Sequence, residues 1–311
     1  MIRFLKQEMI DRAKWDNCID NAINGSLNSQ SWFLDIVSPG WCALIENDYE
    51  KVFPLTVRSR AGNAYIMQPY FTQQLGLFYT TPPTPEKIKE FLNSIPAKFR
   101  YIDINLNTSN RIEGDNRFSN MTNFELDLAF EYSELSSLYQ ENLKRNLKKA
   151  RLNKLTLIKA VKPEDMISLF RENKGQDLLH LKSAQYQLIQ QISNQSLKSG
   201  AGNIWGVRDG SNQLIAAALW VKSHQKAVFL FSALSQSGKK LHAMPWLIDS
   251  FINEHAGNAL ILDFEGSNDT GLARFYRSFG AKEVFYQRYR LNTLPILSGF
   301  ALKLWRILRR G

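Results

Sequence analysis

The sequence predicts a mixed α/β (α+β) protein of two tandem halves, each a mixed, mostly antiparallel sheet flanked by helices, with a cleft shared between them. Three observations predict it. Strand-like and helix-like stretches alternate along the 311 residues, punctuated by Gly, Asn and Pro turns. One order of elements occurs twice. Charge divides between the halves: residues 1–128 carry 13 basic and 15 acidic side chains, a net of −2, and residues 129–311 carry 26 and 14, a net of +12.

The first half opens with a helix-like stretch, Asp11 to Ile23, ended by Asn24-Gly25. WFLDIV (Trp32–Val37) reads as a short helix or turn, stopped by Pro39-Gly40. WCALIEN (Trp41–Asn47), KVFPLTVRSR (Lys51–Arg60) and AYIMQPY (Ala64–Tyr70) follow, the first two β-like by alternation. A Gln-, Thr- and Pro-rich loop runs from Phe71 to Pro85, then EKIKEFLNSI as a helix and YIDINLN (Tyr101–Asn107) as a buried strand.

The second half begins at a helix predicted from Ser133, as N-cap, to about Asn153. LTLIKA (Leu155–Ala160) is a strand. Pro163 with Glu164-Asp165 opens a helix, and Ser183–Lys198 is another. Three strands follow: NIWGVRD (Asn203–Asp209), QLIAAALWVKS (Gln213–Ser223) and KAVFLFSAL (Lys226–Leu234). Next come a helix from Lys239 to Glu254, the strand ALILDFEGS (Ala259–Ser267), a helix from Leu272 to Phe279 closed by Gly280, and the strand EVFYQRYRL (Glu283–Leu291). The strands, loop and helix ending in YIDINLN match those ending in LILDFEG, which makes an internal repeat. The expected boundaries are 1–130, 131–293 and an amphipathic basic helix over 294–311.

Composition excludes several classes. Hydrophobic residues are 44% and charged residues 22%, the range of an ordinary globular protein. The longest purely apolar run, Ile215–Val221, is far too short to span a bilayer. The start, MIRFLKQEMIDR, meets charge early, so no secretory signal is expected and a cytoplasmic location follows. Cys18 and Cys42 have no paired spacing, and His180, His224, His242 and His255 have no metal-ligand spacing, so no metal is expected. The net +10 fits an anionic ligand or merely a solvated face.

Motifs sharpen this. NDTGLARFYRSFGA (Asn268–Ala281) places Leu272, Phe275, Tyr276 and Phe279 on one helical face. With the element order, it resembles the end of a GNAT acyltransferase domain, matched here by Asn268, Ala273, Tyr276 and Phe279-Gly280-Ala281. LKRNLKKARLNKLTL (Leu143–Leu157), LDFEGSND (Leu262–Asp269) and QPYFTQQLGLF (Gln68–Phe78) together resemble the Fem-like double-GNAT transferases. That bacterial group includes aminoacyl-tRNA-dependent enzymes and other FemAB-like acyltransferases. The resemblance implies two tandem GNAT-like halves, the first partly degenerate. It also implies transfer of an acyl group from acyl-CoA, or another activated donor, to an amine acceptor.

It further implies a donor-phosphate loop at Ser235, Ser237, Gly238, Lys239 and Lys240, with Asn268 nearby. The family's second glycine is a lysine here, so a phosphate would rest on a helix N-terminus and two ammonium groups. Tyr276 matches the general acid toward the leaving group, and a structural hydroxyl is the other reading. Glu265 and Asp263 lie where LILDFEGS emerges, and alternation puts both on one side of the strand. Either suits a base for the incoming amine, or a salt bridge or turn contact. Tyr70, Gln73 and Gln74 suit substrate binding, or self-capping of their loop.

Six cations (Lys144, Arg145, Lys148, Lys149, Arg151 and Lys154) cluster around the stripe Leu135, Tyr139, Leu143, Leu147 and Ala150. They would serve CoA phosphates, tRNA or anionic lipid, with no DNA-binding motif in view. In LSGFALKLWRILRRG (Leu297–Gly311), Leu304, Trp305 and Leu308 share an apolar face edged by Lys303, Arg306, Arg309 and Arg310. That suits peripheral contact with the inner membrane surface and a lipid-linked amine acceptor, or packing on the protein itself. Three functions stay open: a CoA-dependent N-acyltransferase, an aminoacyl-tRNA-dependent transferase of Fem type, and a non-catalytic GNAT-like ligand-binding protein.

Overall fold

The computed structural model describes residues 1–60, 62–178, 181–266 and 268–294. The tail helix expected over 294–311 lies outside them from residue 295 onward. The chain divides into two compact units, Met1–Met121 with Phe285 onward, and Thr122–Val284.

The first unit contains β1 (Ile2–Lys6), α1 (Arg12–Asn21), α2 (Ser31–Val37), β2 (Cys42–Glu46), β3 (Lys51–Leu55), β4 (Val57–Arg60), β5 (Asn63–Met67), β6 (Phe78–Tyr79), α3 (Pro85–Asn93) and β7 (Tyr101–Asn105). Asp11 caps α1 by accepting from the Lys14 N–H, and Thr84 with Pro85 starts α3. KVFPLTVRSR, read as one strand, is two strands in different sheets. The break falls at Thr56, whose hydroxyl donates to the Met67 carbonyl at 2.9 Å. One sheet has the order β1-β2-β3-β6. In the other, β4, β5 and β7 are neighbours in that order, and the last strand of the chain pairs with β7. Between β7 and α3 lies a core of Ile102, Ile104, Phe91 and Tyr289. A second core joins Trp15 and Trp41, 4.7 Å apart, to the other sheet.

Next in the chain come β8 (Phe118–Asp127), α4 (Tyr132–Ser137), α5 (Glu141–Leu152), β9 (Thr156–Ile158), α6 (Pro163–Glu172), α7 (Ser183–Lys198), β10 (Gly202–Arg208), β11 (Leu214–Ser223), β12 (Lys226–Leu234), α8 (Gln236–Lys240), α9 (Ala243–His255), β13 (Ile261–Asp263), α10 (Thr270–Arg277) and β14 (Lys282–Asn292). The second unit's sheet has the order β8-β13-β12-β11-β10-β9. The long helix expected from Ser133 is broken in two. Tyr139 is buried against Phe279, and the Gln140 N–H donates to the Ser278 carbonyl at 2.9 Å instead of continuing a helix. The stripe Leu135, Tyr139, Leu143, Leu147 and Ala150 is buried throughout. The helix expected at Lys239 starts earlier, as α8, and is interrupted at His242, whose φ is +56°.

The repeat is visible in register. In the first unit β4 pairs antiparallel with β5, and β5 pairs parallel with β7 so that Met67 faces Asp103. In the second, β11 pairs antiparallel with β12, and β12 pairs parallel with β13 so that Val228 faces Asp263. Among the described residues no helix is long and apolar enough to cross a membrane.

Helix α9 buries one carboxylate, Asp249, which accepts from the Tyr132 hydroxyl at 2.8 Å and lies 3.5 Å from Arg151. Burial raises its pKa above the usual Asp value, with Tyr132, Tyr139 and Arg151 opposing. A raised carboxyl favours the folded state fully below its unfolded pKa, and that contribution is lost as pH rises through the folded pKa. Asp249→Asn keeps an acceptor for Tyr132 without the buried charge. It is expected to raise Tm at pH 7, with the gain shrinking at acid pH. A thermal melt at both pH values checks this, and a lower Tm at pH 7 contradicts it.

Candidate active site

Strands β12 and β13 stay paired for three residues only, Lys226 with Ile261, Ala227 with Leu262 and Val228 with Asp263. Strand β12 then runs on to Leu234 along β11, while β13 has ended. Its pairing with β11 skips Leu230, a β-bulge that bends the strand locally. Beyond Val228, among the described residues, no strand pairs with the side of β12 turned away from β11. A strand edge with no described β neighbour is the kind of site at which an extended ligand adds ladder hydrogen bonds.

The loop leaving β13 is fixed in detail. Asp263 is 6% exposed. Its Oδ1 accepts from Asn123 Nδ2 at 3.0 Å and from the Glu265 backbone N–H at 2.8 Å. Its Oδ2 lies 3.4 Å from Lys226 Nζ, which donates to Glu125 at 2.5 Å. Burial alone would push the Lys226 ammonium down; the two carboxylates more than reverse that and raise it. Glu265 has φ +49°, the left-handed region, so it does not continue the strand. The alternation expected to put Asp263 and Glu265 on one side therefore fails: Asp263 is spent on internal partners, and Glu265 turns away half-buried. At Gly266, φ is +31° and a Cβ would meet Asn123 Cα at 2.3 Å and the Thr122 carbonyl at 2.4 Å, so only glycine fits. Lys226, Asn123 and Glu125 were missed in the sequence. Asn123 and Glu125 sit on a strand with no motif of its own, so no local signal marks them.

Tyr276 of α10 stacks on Phe264, the residue between Asp263 and Glu265, with ring centroids 4.7 Å apart. Phe264 in turn meets Phe229 of β12 across the divergence at 6.2 Å. Glu265 follows Phe264 directly in the chain, near enough for its charge to act on Tyr276. Burial, and then the Glu265 charge, push the Tyr276 hydroxyl up to about 12. Its hydroxyl makes no hydrogen bond among the described residues. Exposed Asn268 lies just before Asp269, which caps α10 by accepting from the Leu272 N–H.

Ser235–Lys240 forms the expected strand-to-helix junction, with Ser235 as N-cap. Gly238 has another use, however. Its N–H donates to Ser235 Oγ at 2.9 Å, and a Cβ would meet the Ile215 carbonyl at 2.3 Å. The glycine lets the helix sit against β11. Lys239 and Lys240 are exposed, Ser237 lies 2.8 Å from the Ser235 hydroxyl, and α8 is one short turn. The cations of α5 are exposed as well. The charge of Lys149, after burial, lowers the pKa of His242, which places α5 beside the α8–α9 junction. Lys148, Lys149, Lys239 and Lys240 are all exposed.

The first unit treats the same position differently. After Met67 the chain turns back, and the Gln68 N–H donates to the Asp103 carbonyl at 2.9 Å. Gln68 Oε1 accepts from the Asn105 N–H, and the Leu75 N–H donates to the Asn105 carbonyl. Leu75 then bridges Leu106 in parallel. The gap beside β7 is filled by the unit's own loop. Gln73 and Gln74 are used inside it: Gln74 Nε2 donates to Gln73 Oε1, the Gln73 carbonyl accepts from Asn105 Nδ2, and Gln74 Oε1 accepts from the Thr108 N–H. Tyr70 is half-buried in the same loop. Asp103, the counterpart of Asp263, is held by Arg288 at 2.5 Å and Arg290 at 3.4 Å.

The fold is a mixed α/β fold like that of FemX. The solved structure of FemX superposes with a TM-score of 0.65 at 13% identity, covering 98% of this chain and 99% of that one. L-PGS from Bacillus licheniformis gives 0.55 at 10% identity, covering 97% of each chain. A conserved protein of unknown function from Bacteroides thetaiotaomicron gives 0.59 at 11%, covering 94% of this chain and all of that one. No family model matches the sequence. No curated protein matches it either.

Gly238→Ala and the pair Lys239→Glu, Lys240→Glu are expected to act differently. The alanine forces a clash with backbone and costs about 1–3 kcal/mol, read as a lower Tm. The charge reversals leave Tm nearly unchanged and weaken binding of anionic ligands at low salt. Unchanged affinity for CoA and tRNA in the double variant would remove this loop from the site.

Proposed function

We propose that the second unit is an acyltransferase, moving an acyl group from an activated donor to an amine. The observation that carries this reading is the early end of the β12–β13 ladder, with Tyr276 stacked on Phe264 just past it and within reach of the Glu265 charge. A donor laid along β12 beyond Val228 would hydrogen-bond to strand backbone and hold its carbonyl near both side chains. The amine nitrogen attacks the carbonyl carbon, and the bond from carbon to the leaving sulfur or oxygen breaks. Glu265 takes the proton released by the amine. Tyr276 gives its proton to the leaving atom, and a phenol of raised pKa remains protonated at neutral pH for this task.

A second reading within this class concerns the donor. The Gly238 amide is engaged by Ser235, so the small phosphate cradle implied by the GNAT resemblance is incomplete for CoA. The exposed cations of α5 and α8 suit a longer polyanion. This favours a charged tRNA over acyl-CoA. An acceptor at a membrane surface would suit the basic tail sequence.

Transfer assays with acyl-CoA and aminoacyl-tRNA donors test the proposal. Tyr276→Phe is expected to lower kcat on the order of 100-fold with little change in donor affinity. Glu265→Gln is expected to move the pH–kcat profile to higher pH. A fully active Tyr276→Phe enzyme makes the hydroxyl structural. For the donor, Lys148→Glu with Lys149→Glu is expected to weaken tRNA binding and flatten its dependence on salt, leaving CoA binding unchanged.

A further inference from the structure

We infer that Asp263 is a positioning residue, which holds Glu265 in place through its backbone amide and does not itself exchange protons with the acceptor. The inference rests on the acyltransferase reading for the role of Glu265. Its geometry stands independently. Both oxygens of Asp263 are engaged: Oδ1 by Asn123 and the Glu265 N–H, Oδ2 by Lys226. Glu265 occupies a left-handed conformation that non-glycine residues adopt at a cost. The Asp263 carboxylate offsets that cost by capping the N–H two residues on, as in an Asx turn.

The hold is reinforced from two sides. Asn123 binds the same Oδ1, and Gly266 presses against the backbone at Thr122–Asn123, so the loop cannot lift from β8. Lys226 sits between Glu125 and Asp263 and offsets the buried negative charge. In the first unit Arg288 and Arg290 hold the equivalent Asp103, and the amide two residues on, Asn105, donates to Gln68.

The test compares Asp263→Asn with Asp263→Ala in the full chain. Asparagine keeps an oxygen for the Glu265 N–H, and Lys226 keeps Glu125. Amide hydrogen exchange at Glu265 is expected to stay slow in the asparagine variant and to become fast in the alanine variant. Transfer is expected to stay within about fivefold of wild type for asparagine, and to fall on the order of 100-fold for alanine, matching Glu265→Gln. An asparagine variant with a protected Glu265 amide but activity as low as Glu265→Gln would overturn the inference, because the charge of Asp263 would then be needed directly. A Glu265 amide that exchanges equally in all three proteins would also overturn it. Should the alanine variant not fold, the asparagine result alone decides. If the wild type transfers no acyl group at all, the functional reading fails while the exchange data still judge the hold.

Discussion

A parallel ladder that stops after three residue pairs is the constraint on which the site depends. Backbone N–H and C=O groups in a sheet are normally paired, because an unpaired buried polar group costs free energy. Strand β12 keeps β11 along its length but loses β13 after Val228. The bulge at Leu230 bends it, and Asp263 turns the other chain sharply into the Glu265–Gly266 loop. What is left is a strand edge inside a well-packed unit, whose aromatic lining of Phe229, Phe264 and Tyr276 belongs to its main core. A strand edge without a described β neighbour, on a rigid scaffold, would suit the proposed acyl donor and would leave little for individual side chains to do beyond moving protons.

The duplication shows why this edge belongs to one unit. Both units place an aspartate at the same point of the same strand, opposite Met67 or Val228. In the first, Gln68 supplies with its side chain and backbone the hydrogen bonds a continuing strand would have made, and Leu75 rejoins the ladder. Its aspartate is neutralised by two arginines. A loop that seals its own gap has no ladder to offer a ligand. The polar residues Gln73 and Gln74, which look like substrate contacts in the sequence, are that seal.

Much of this was legible in the sequence. Apolar periodicity and turn residues pointed to the repeat and to the buried stripe ending at Ala150, but β1 and β8 were not expected. The mixed α/β fold expected from the motifs is the fold of the structural neighbours. Other features turned on contacts invisible to local pattern. The helix expected from Ser133 breaks because the Gln140 amide goes to Ser278, and KVFPLTVRSR splits because Thr56 serves Met67. The side shared by Asp263 and Glu265 failed because alternation assumes extended backbone, and Glu265 is left-handed. Gly238 reads as a phosphate glycine, yet the carbonyl of Ile215 accounts for it. Asn123 reaches Asp263 across 140 residues of sequence, and Glu125 reaches Lys226 across 101.

The central claim is that the donor lies along β12 beyond Val228. Hydrogen–deuterium exchange of the full chain, with and without a non-hydrolysable aminoacyl-tRNA or acyl-CoA analogue, tests it most directly. The account predicts slowed exchange at Phe229–Leu234, with Gln68–Gly76 unaffected. Protection confined to the first unit, or binding that leaves Phe229–Leu234 unchanged, would contradict it.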